Sequence, residues 1–358
     1  MKKYFLAVAS FFIYSHISLG QVYPGQMDST FVPVRSHHYD PELTFDFCVN
    51  EPAWSNQAGI HSAFGSTDRL YFRKEVPVNH DNDLSSSYST TVWRGERANA
   101  QILVWSSEAL EQVRVSTQDL RSAEGNIIPK DRITFELVRY VLSNYPYAEK
   151  KAICGESPYK SGFLMPDRFE TLDRFDLPSQ TTRPVWMMVD VPRGTAPGTY
   201  KGQVEVRAKG KAPQLLNLEI VVQNQLLPYP KDWKYRLDLW QNPWAVAWYN
   251  HVEPWSPEHK MLLKQHLKHY ADAGGTYITT YGVHSPWSDN SYMIEGGMIE
   301  WIKKADGTWA FDYKIFDEYV ELAMECGIDE AITLYTPIPW GFRHRYKDEA
   351  TGDYSYIN

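Results

Sequence analysis

Between Gly198 and Gln223 the chain alternates so regularly that few folds can hold it. Tyr200, Val204 and Val206 are interleaved with Lys201, Gln203, Glu205 and Arg207. Gly210-Lys211-Ala212-Pro213 then turns the chain, and Leu216, Leu218, Ile220 and Val222 resume the alternation. Side chains of a strand point to opposite faces in turn, so this pattern specifies an antiparallel hairpin with one face in a core and one in water. A lone hairpin is at best marginally stable, so the segment requires further strands above and beside it. Upstream, short β-prone runs separated by turn residues supply them: Leu43 to Val49, Arg69 to Lys74, Tyr88 to Trp93, Gln101 to Trp105, Gln112 to Thr117, Ile133 to Val141 and Pro184 to Val191. The expectation is an antiparallel β-sandwich over residues 21–224. Ser143 to Thr182 lacks the period, is rich in Pro, Gly, Asp and Arg, and reads as a long excursion over the surface.

The period changes after Val222. Leu227-Pro228-Tyr229-Pro230-Lys231-Asp232-Trp233 is a proline-punctuated linker, placed at 225–234, and beyond it strands alternate with helices. Arg236 to Trp240 alternates as a first strand. Ser256-Pro257-Glu258 starts a helix that stops at Gly274-Gly275, because Ser caps, Pro suits the first helical position and glycine suits the exit. Thr276 to Tyr281 is a second strand. An excursion from His284 to Phe311 contains the hairpin turn Asp306-Gly307, and a helix follows with Phe316, Tyr319, Val320, Ala323 and Met324 on one face. Ala331 to Tyr335 is a third strand. The fold class expected is multidomain β plus α/β: the sandwich, then about three β/α units of a (β/α)8 barrel over 235–358, a full barrel needing roughly 250 residues. The expectation is therefore an incomplete barrel, ending in a polar loop from Tyr346 to Asn358.

Composition limits the function. A net charge of −8 and the lack of a basic run argue against a nucleic-acid partner. Residues 1–20 combine Lys2-Lys3, an apolar run and small residues at Ser18-Leu19-Gly20, the pattern of an export signal, so the mature chain is expected to begin near Gln21, periplasmic or secreted. No later stretch has the length and apolarity of a membrane span. Cys48, Cys154 and Cys326 have no metal-ligand spacing, and nothing calls for a metal or a cofactor. The 13 Trp and 24 Tyr suit a carbohydrate-handling protein, whose rings stack on sugar C–H faces, but equally a large sandwich core.

Trp93-Arg94-Gly95-Glu96-Arg97-Ala98-Asn99-Ala100-Gln101, with Arg183 to Pro192 and Ala196 to Gly202, resembles the amino-terminal sandwich of glycoside hydrolase family 123. Tyr235 to Trp255, Thr336 to Arg345 and Lys347 to Gly352 resemble that family's barrel. The resemblance implies a β-N-acetylgalactosaminidase acting on a GalNAc-containing glycan by substrate-assisted retaining hydrolysis. In that reaction the 2-acetamido oxygen attacks the anomeric carbon, an Asp orients the acetamide and an adjacent Glu protonates the leaving oxygen. In the family this pair ends the fourth barrel strand. Asp329-Glu330 precedes the third strand, at the face opposite the functional loops, and Asp348-Glu349 lies in a polar loop, so neither fits. No catalytic residue is therefore assigned within the chain, and the acids are expected beyond Asn358.

Sugar contacts are expected where loops leave the carboxyl ends of parallel strands. Trp240, Gln241 and Asn242 follow the first strand, Tyr281 and His284 the second, and Trp340 and Arg343 the third. Trp244, Trp248, Tyr249, Asn250 and His251 extend the first of these loops. The competing reading is a non-catalytic carbohydrate-binding or cell-surface scaffold protein with a degenerate barrel.

Overall fold

The computed structural model describes residues 51–77, 84–143, 163–286, 296–335 and 337–357. The expected export signal, the strand expected at Leu43 to Val49, Cys48 and Cys154 lie outside the described residues. The chain divides into two compact units, Met1–Leu227 and Pro228–Asn358.

The first unit begins with helix α1 (Glu51–Trp54) and strands β1 (His61–Gly65), β2 (Ser87–Arg94), β3 (Arg97–Ser106) and β4 (Leu110–Thr117). Short strands β5 (Leu120–Arg121) and β6 (Ile127–Ile128) precede β7 (Ile133–Ser143), β8 (Phe163–Glu170), β9 (Phe175–Leu177) and β10 (Thr181–Asp190). The hairpin pair β11 (Gly198–Arg207) and β12 (Gln214–Leu226) completes it. One sheet has the order β1-β3-β10-β7-β8. The other runs β2-β12-β11-β4-β9, with β5 and β6 beside β11. The alternating residues of the hairpin behave as their period demands: Tyr200, Val204, Val206, Leu216, Leu218, Ile220 and Val222 are all buried, in one core with Ala100, Ile102, Val104, Val185 and Met187 of the facing sheet. This is a sandwich, with one departure from the antiparallel expectation. β2 pairs with β12 in parallel, Asn217 beside Ser87 through Val222 beside Val92.

Two further expectations are corrected. Arg69 to Lys74 forms no strand; it is a turn in which Tyr71 is buried. The supposed excursion after Ser143 contains β8 and β9, and β8 pairs with β7 along the sheet edge. Its polar composition is misleading because part of it is core: Arg139 and Glu170 form an ion pair at 2.7 Å with side chains only 3% exposed.

The two stretches most like family 123 meet as neighbours. β3 and β10 are antiparallel, Arg97 opposite Asp190 and Met188 opposite Asn99. Arg97 grips the Asp190 carboxylate through Nε at 2.6 Å and Nη2 at 3.2 Å, and Trp186 Nε1 donates to Asn99 Oδ1 at 3.2 Å. Between β2 and β3 the chain reverses at Gly95, whose φ of +84° favours glycine. There the Glu96 carboxylate accepts the Trp93 N–H at 2.7 Å.

The second unit contains helices α2 (Pro243–Asn250) and α3 (Pro257–Asp272) and strands β13 (Tyr277–Tyr281), β14 (Glu300–Lys303) and β15 (Trp309–Asp312). Helix α4 (Lys314–Glu325) and strands β16 (Ala331–Tyr335), β17 (His344–Asp348) and β18 (Tyr354–Ile357) follow. β13 and β16 are parallel, Tyr277 beside Ala331 to Tyr281 beside Tyr335. Leu263, Leu267 and Tyr270 of α3 and Tyr319 and Ala323 of α4 share one core with Ile278 and Tyr281 of β13. Ser256 caps α3 as expected, its side chain accepting the His259 N–H at 3.2 Å. Cys326 is a free, buried thiol.

Three expectations change here. Arg236 to Trp240 forms no continuous strand; it makes one parallel bridge, Leu237 to Gly275. The aromatic loop from Trp244 to Asn250 is helix α2, because Asn242 caps it and Pro243 starts it, and Trp244 is a core residue at 4% exposure. The side chains of Trp248 and Tyr249 lie outside the description. The closing residues are not loop: β17 and β18 join the β14–β15 hairpin in a four-stranded sheet ordered β15-β14-β17-β18. Among the described residues no helix is long and apolar enough to cross a membrane.

Glu170→Ala breaks a buried ion pair by removing one of its charges, so it should destabilise the sandwich by about 3–5 kcal/mol. Chemical unfolding measures this, and a change within error would show that the pair is solvated in practice.

Candidate functional site

The carboxyl ends of β13 and β16 lie side by side, and one phenol ties the segment from Leu237 to the start of β13. The Tyr270 hydroxyl lies 2.7 Å from Leu237 O and 2.9 Å from Tyr277 O, and accepts the Leu239 N–H at 3.3 Å. Gly275 makes room for that ring, since a Cβ there would lie 2.3 Å from it.

Four of the expected residues come together on this scaffold. Trp240 is 60% exposed, its ring 4.8 Å from that of Tyr335. Gln241 accepts the Thr279 N–H at 3.4 Å through Oε1, and its backbone carbonyl accepts the Tyr281 hydroxyl. Asn242 spends its side-chain oxygen on the Ala245 N–H, 3.2 Å away, and so starts α2. Tyr281 is fully buried, edge-on to Trp244 with centroids 5.5 Å apart. It carries the loop from below.

The other three spread out. Trp340 is 67% exposed, and its backbone N–H donates to Pro286 O at 2.9 Å, which ties the loop after β16 to the loop after β13. Arg343 stacks over Tyr356, 4.3 Å from the ring centroid. His284 lines a separate cleft of about 430 Å³ with Trp255, Glu300 and Arg345.

One polar residue of the strand ends escaped the sequence reading. Asp238 accepts the Thr279 hydroxyl at 3.3 Å and the Thr333 hydroxyl at 3.0 Å, so one carboxylate spans both parallel strands. The sign of it was a charged residue alternating with Leu237 and Leu239. Members of both Asp-Glu pairs hold local hydrogen bonds. Glu330 accepts the Thr276 hydroxyl at 2.9 Å before β16, and Asp348 and Glu349 accept the N–H groups of Ala350 and Ala305 in a turn. Among the described residues no cluster of three or more His, Cys, Asp or Glu side chains could hold a metal ion.

Behind the site, His259 locks α2, α3 and the loop between them. Its Nδ1 accepts the Trp255 N–H at 2.8 Å and its Nε2 lies 2.9 Å from Pro243 O, which fixes the neutral ring protonated at Nε2. Trp255 adopts a φ of +65°, a costly conformation for a bulky residue that this hydrogen bond helps to hold. Burial holds the His259 imidazole below its ordinary value and pushes the Tyr319 phenol up. The Tyr319 hydroxyl has no hydrogen-bond partner among the described residues, and its ring centroid lies 5.9 Å from that of Trp255.

Two family models match the sequence: the glycoside hydrolase 123 N-terminal domain over residues 64–208 and the glycoside hydrolase 123 catalytic domain over residues 240–358. No curated protein matches. A solved family 123 glycoside hydrolase from Clostridium perfringens, studied for glycolipid glycan hydrolysis, is similar in fold, with a TM-score of 0.73 at 24% identity over 84% of this chain and 52% of that one. The chain thus spans about half the length of that relative. A PapD-like domain of human CEP192 covers 52% of this chain and 99% of its own at 11% identity, but with a TM-score of 0.21 it adds nothing on the fold.

Because the folded state favours neutral His259, the stability this ring supplies is complete above pH of about 6.5 and is lost as pH falls from there through the folded-state value. NMR should find the ring neutral and protonated at Nε2 to below pH 6.5 or so. His259→Asn should lower stability by about 1–3 kcal/mol and weaken the pH dependence in that window. A ring titrating at or above the ordinary value would contradict this.

Proposed function

Since the chain belongs to glycoside hydrolase family 123, we propose that it works on a carbohydrate as part of a glycosidase that removes terminal β-linked N-acetylgalactosamine. The observation that carries this reading is the catalytic-domain match over residues 240–358, which includes the strand-end cluster of Trp240, Gln241 and Asn242. An exposed indole beside amide groups suits a pyranose, whose C–H face stacks on the ring while its hydroxyls and acetamide meet the amides.

In this reading β13, β16 and the bridged segment at Leu237 are the first three strand positions of a (β/α)8 barrel. Trp240 and Trp340 offer stacking surface, Gln241 and Arg343 offer hydrogen bonds, and Tyr281 and Asn242 hold the first loop in place. His284 stands at the edge of the pocket. Hydrolysis proceeds with retention: the substrate acetamide attacks the anomeric carbon, one acid orients the acetamide and another protonates the leaving oxygen. Those acids are residues other than Asp329-Glu330 and Asp348-Glu349, which serve turns and strand starts. Export follows from residues 1–20, and the mature amino terminus near Gln21 can be read by protein sequencing.

The whole protein should hydrolyse aryl β-N-acetylgalactosaminides and be inhibited by a thiazoline mimic of the cyclic intermediate. Equal turnover of aryl β-galactosides, which lack the acetamide, would exclude substrate assistance. Trp240→Ala should raise KM roughly tenfold with little change in kcat, the loss expected when a stacking contact serves ground and transition states alike.

A further inference from the structure

The segment that carries Trp240 is tied to its surroundings by several contacts that do not recognise which residue they touch. Beyond the bridge at Leu237, the Tyr270 hydroxyl meets Leu237 O and the Leu239 N–H, and the Tyr281 hydroxyl meets Gln241 O. These are backbone atoms, present at every residue. Such contacts would serve equally well after a slip of two residues, which keeps each side chain on its own face. That slip would carry Trp240 about 6–7 Å along the sheet. The register has to be read by a side chain.

Asp238 is placed to read it. β13 and β16 set Thr279 beside Thr333 and, two residues on, Tyr281 beside Tyr335. Asp238 Oδ1 accepts the Thr279 hydroxyl at 3.3 Å and Oδ2 accepts the Thr333 hydroxyl at 3.0 Å, while the Trp240 ring lies 4.8 Å from that of Tyr335. Two steps along the segment, from Asp238 to Trp240, therefore match two steps along β16. A carboxylate offers only acceptors, and its hydrogen bonds are roughly twice as strong as neutral ones. Leu237 and Leu239, on either side, have no polar side-chain atom with which to make this lock, so a slip of one residue loses both bonds. Gln241 adds a longer tie, its Oε1 accepting the Thr279 N–H at 3.4 Å.

We propose that Asp238 is a positioning residue of the glycosidase, which sets the register of the first strand-end segment and so delivers the Trp240 indole to the substrate. The inference rests on the reading of Trp240 as a sugar contact. Asparagine reproduces the lock without the charge: its Oδ1 accepts the Thr333 hydroxyl, its Nδ2 donates to Thr279 Oγ1, and the Thr279 proton turns to Leu239 O, 3.4 Å away. Alanine removes the lock altogether.

The test uses the whole protein labelled with 5-fluorotryptophan, the Trp240 signal being the fluorine resonance that Trp240→Phe lacks. Asp238→Ala should shift and broaden that signal, and should raise KM for an aryl β-N-acetylgalactosaminide about tenfold with kcat changed by less than about twofold, as a misplaced stacking contact requires. Asp238→Asn should restore both the signal and KM. In a Trp240→Ala background, Asp238→Ala should raise KM by no more than about twofold further, because its effect passes through the indole. A loss of stability alone would leave the Trp240 signal of the folded protein and its KM where they were. If Asp238→Ala does not fold, Thr333→Val, which removes the partner of Oδ2, replaces it, with a smaller shift and a KM raised roughly threefold. An unmoved Trp240 signal, fully additive losses in the double variant, or an Asp238→Asn protein as impaired as Asp238→Ala would overturn the proposal. A protein that does not hydrolyse the glycoside at all would sink the N-acetylgalactosamine reading, and the fluorine signal would still decide whether Asp238 places Trp240.

Discussion

One phenol positions the loop that carries Trp240, Gln241 and Asn242. Beyond the bridge from Leu237 to Gly275 the segment leading to Trp240 has no ladder of backbone hydrogen bonds to hold it. The Tyr270 hydroxyl takes the place of that ladder, reaching from α3 to Leu237, Leu239 and Tyr277. The arrangement works only because Gly275 has no side chain, and because Ser256 and Pro257 fix where α3 begins and so where its last turns fall. Trp240, Gln241 and Asn242 inherit their places from this contact.

The sandwich was legible wherever one face was apolar and the other polar, as in the hairpin from Tyr200 to Val222. It was illegible where the core itself carried charge. Glu170 reads as surface in sequence, but Arg139 across the strand pair makes its burial tolerable, so an edge strand with a buried charge passed for a loop. Helix α3 announced both ends. Helix α2 announced neither clearly, since its exit uses Asn250, whose side chain bonds Val246 O, and His251 at a φ of +55° where glycine is usual. Tyr346 to Asp348, the end of β17, looked like solvated loop because its charged residues serve a sheet face rather than a core. In the candidate site, Tyr281 is a buried support for the loop because of a contact 40 residues away in sequence, with the Gln241 carbonyl, which local pattern does not reveal.

The two units use their resemblance to one family differently. In the first, the matching stretches form a structural clasp of Arg97 on Asp190 and Trp186 on Asn99. In the second, they place aromatic and amide groups at strand ends. Likeness in the sandwich therefore speaks to how the fold is held.

The parallel pairing of β2 with β12 also sets a timetable. Ser89 and Glu219, hydrogen-bonded across that pair, are 130 residues apart. At typical synthesis rates of 5–20 residues per second, β2 waits on the order of ten seconds for its partner to be made. During that interval its edge and the apolar faces of the early strands are open to other chains, so the sandwich is expected to rely on chaperones or on delayed folding far more than its finished core would suggest.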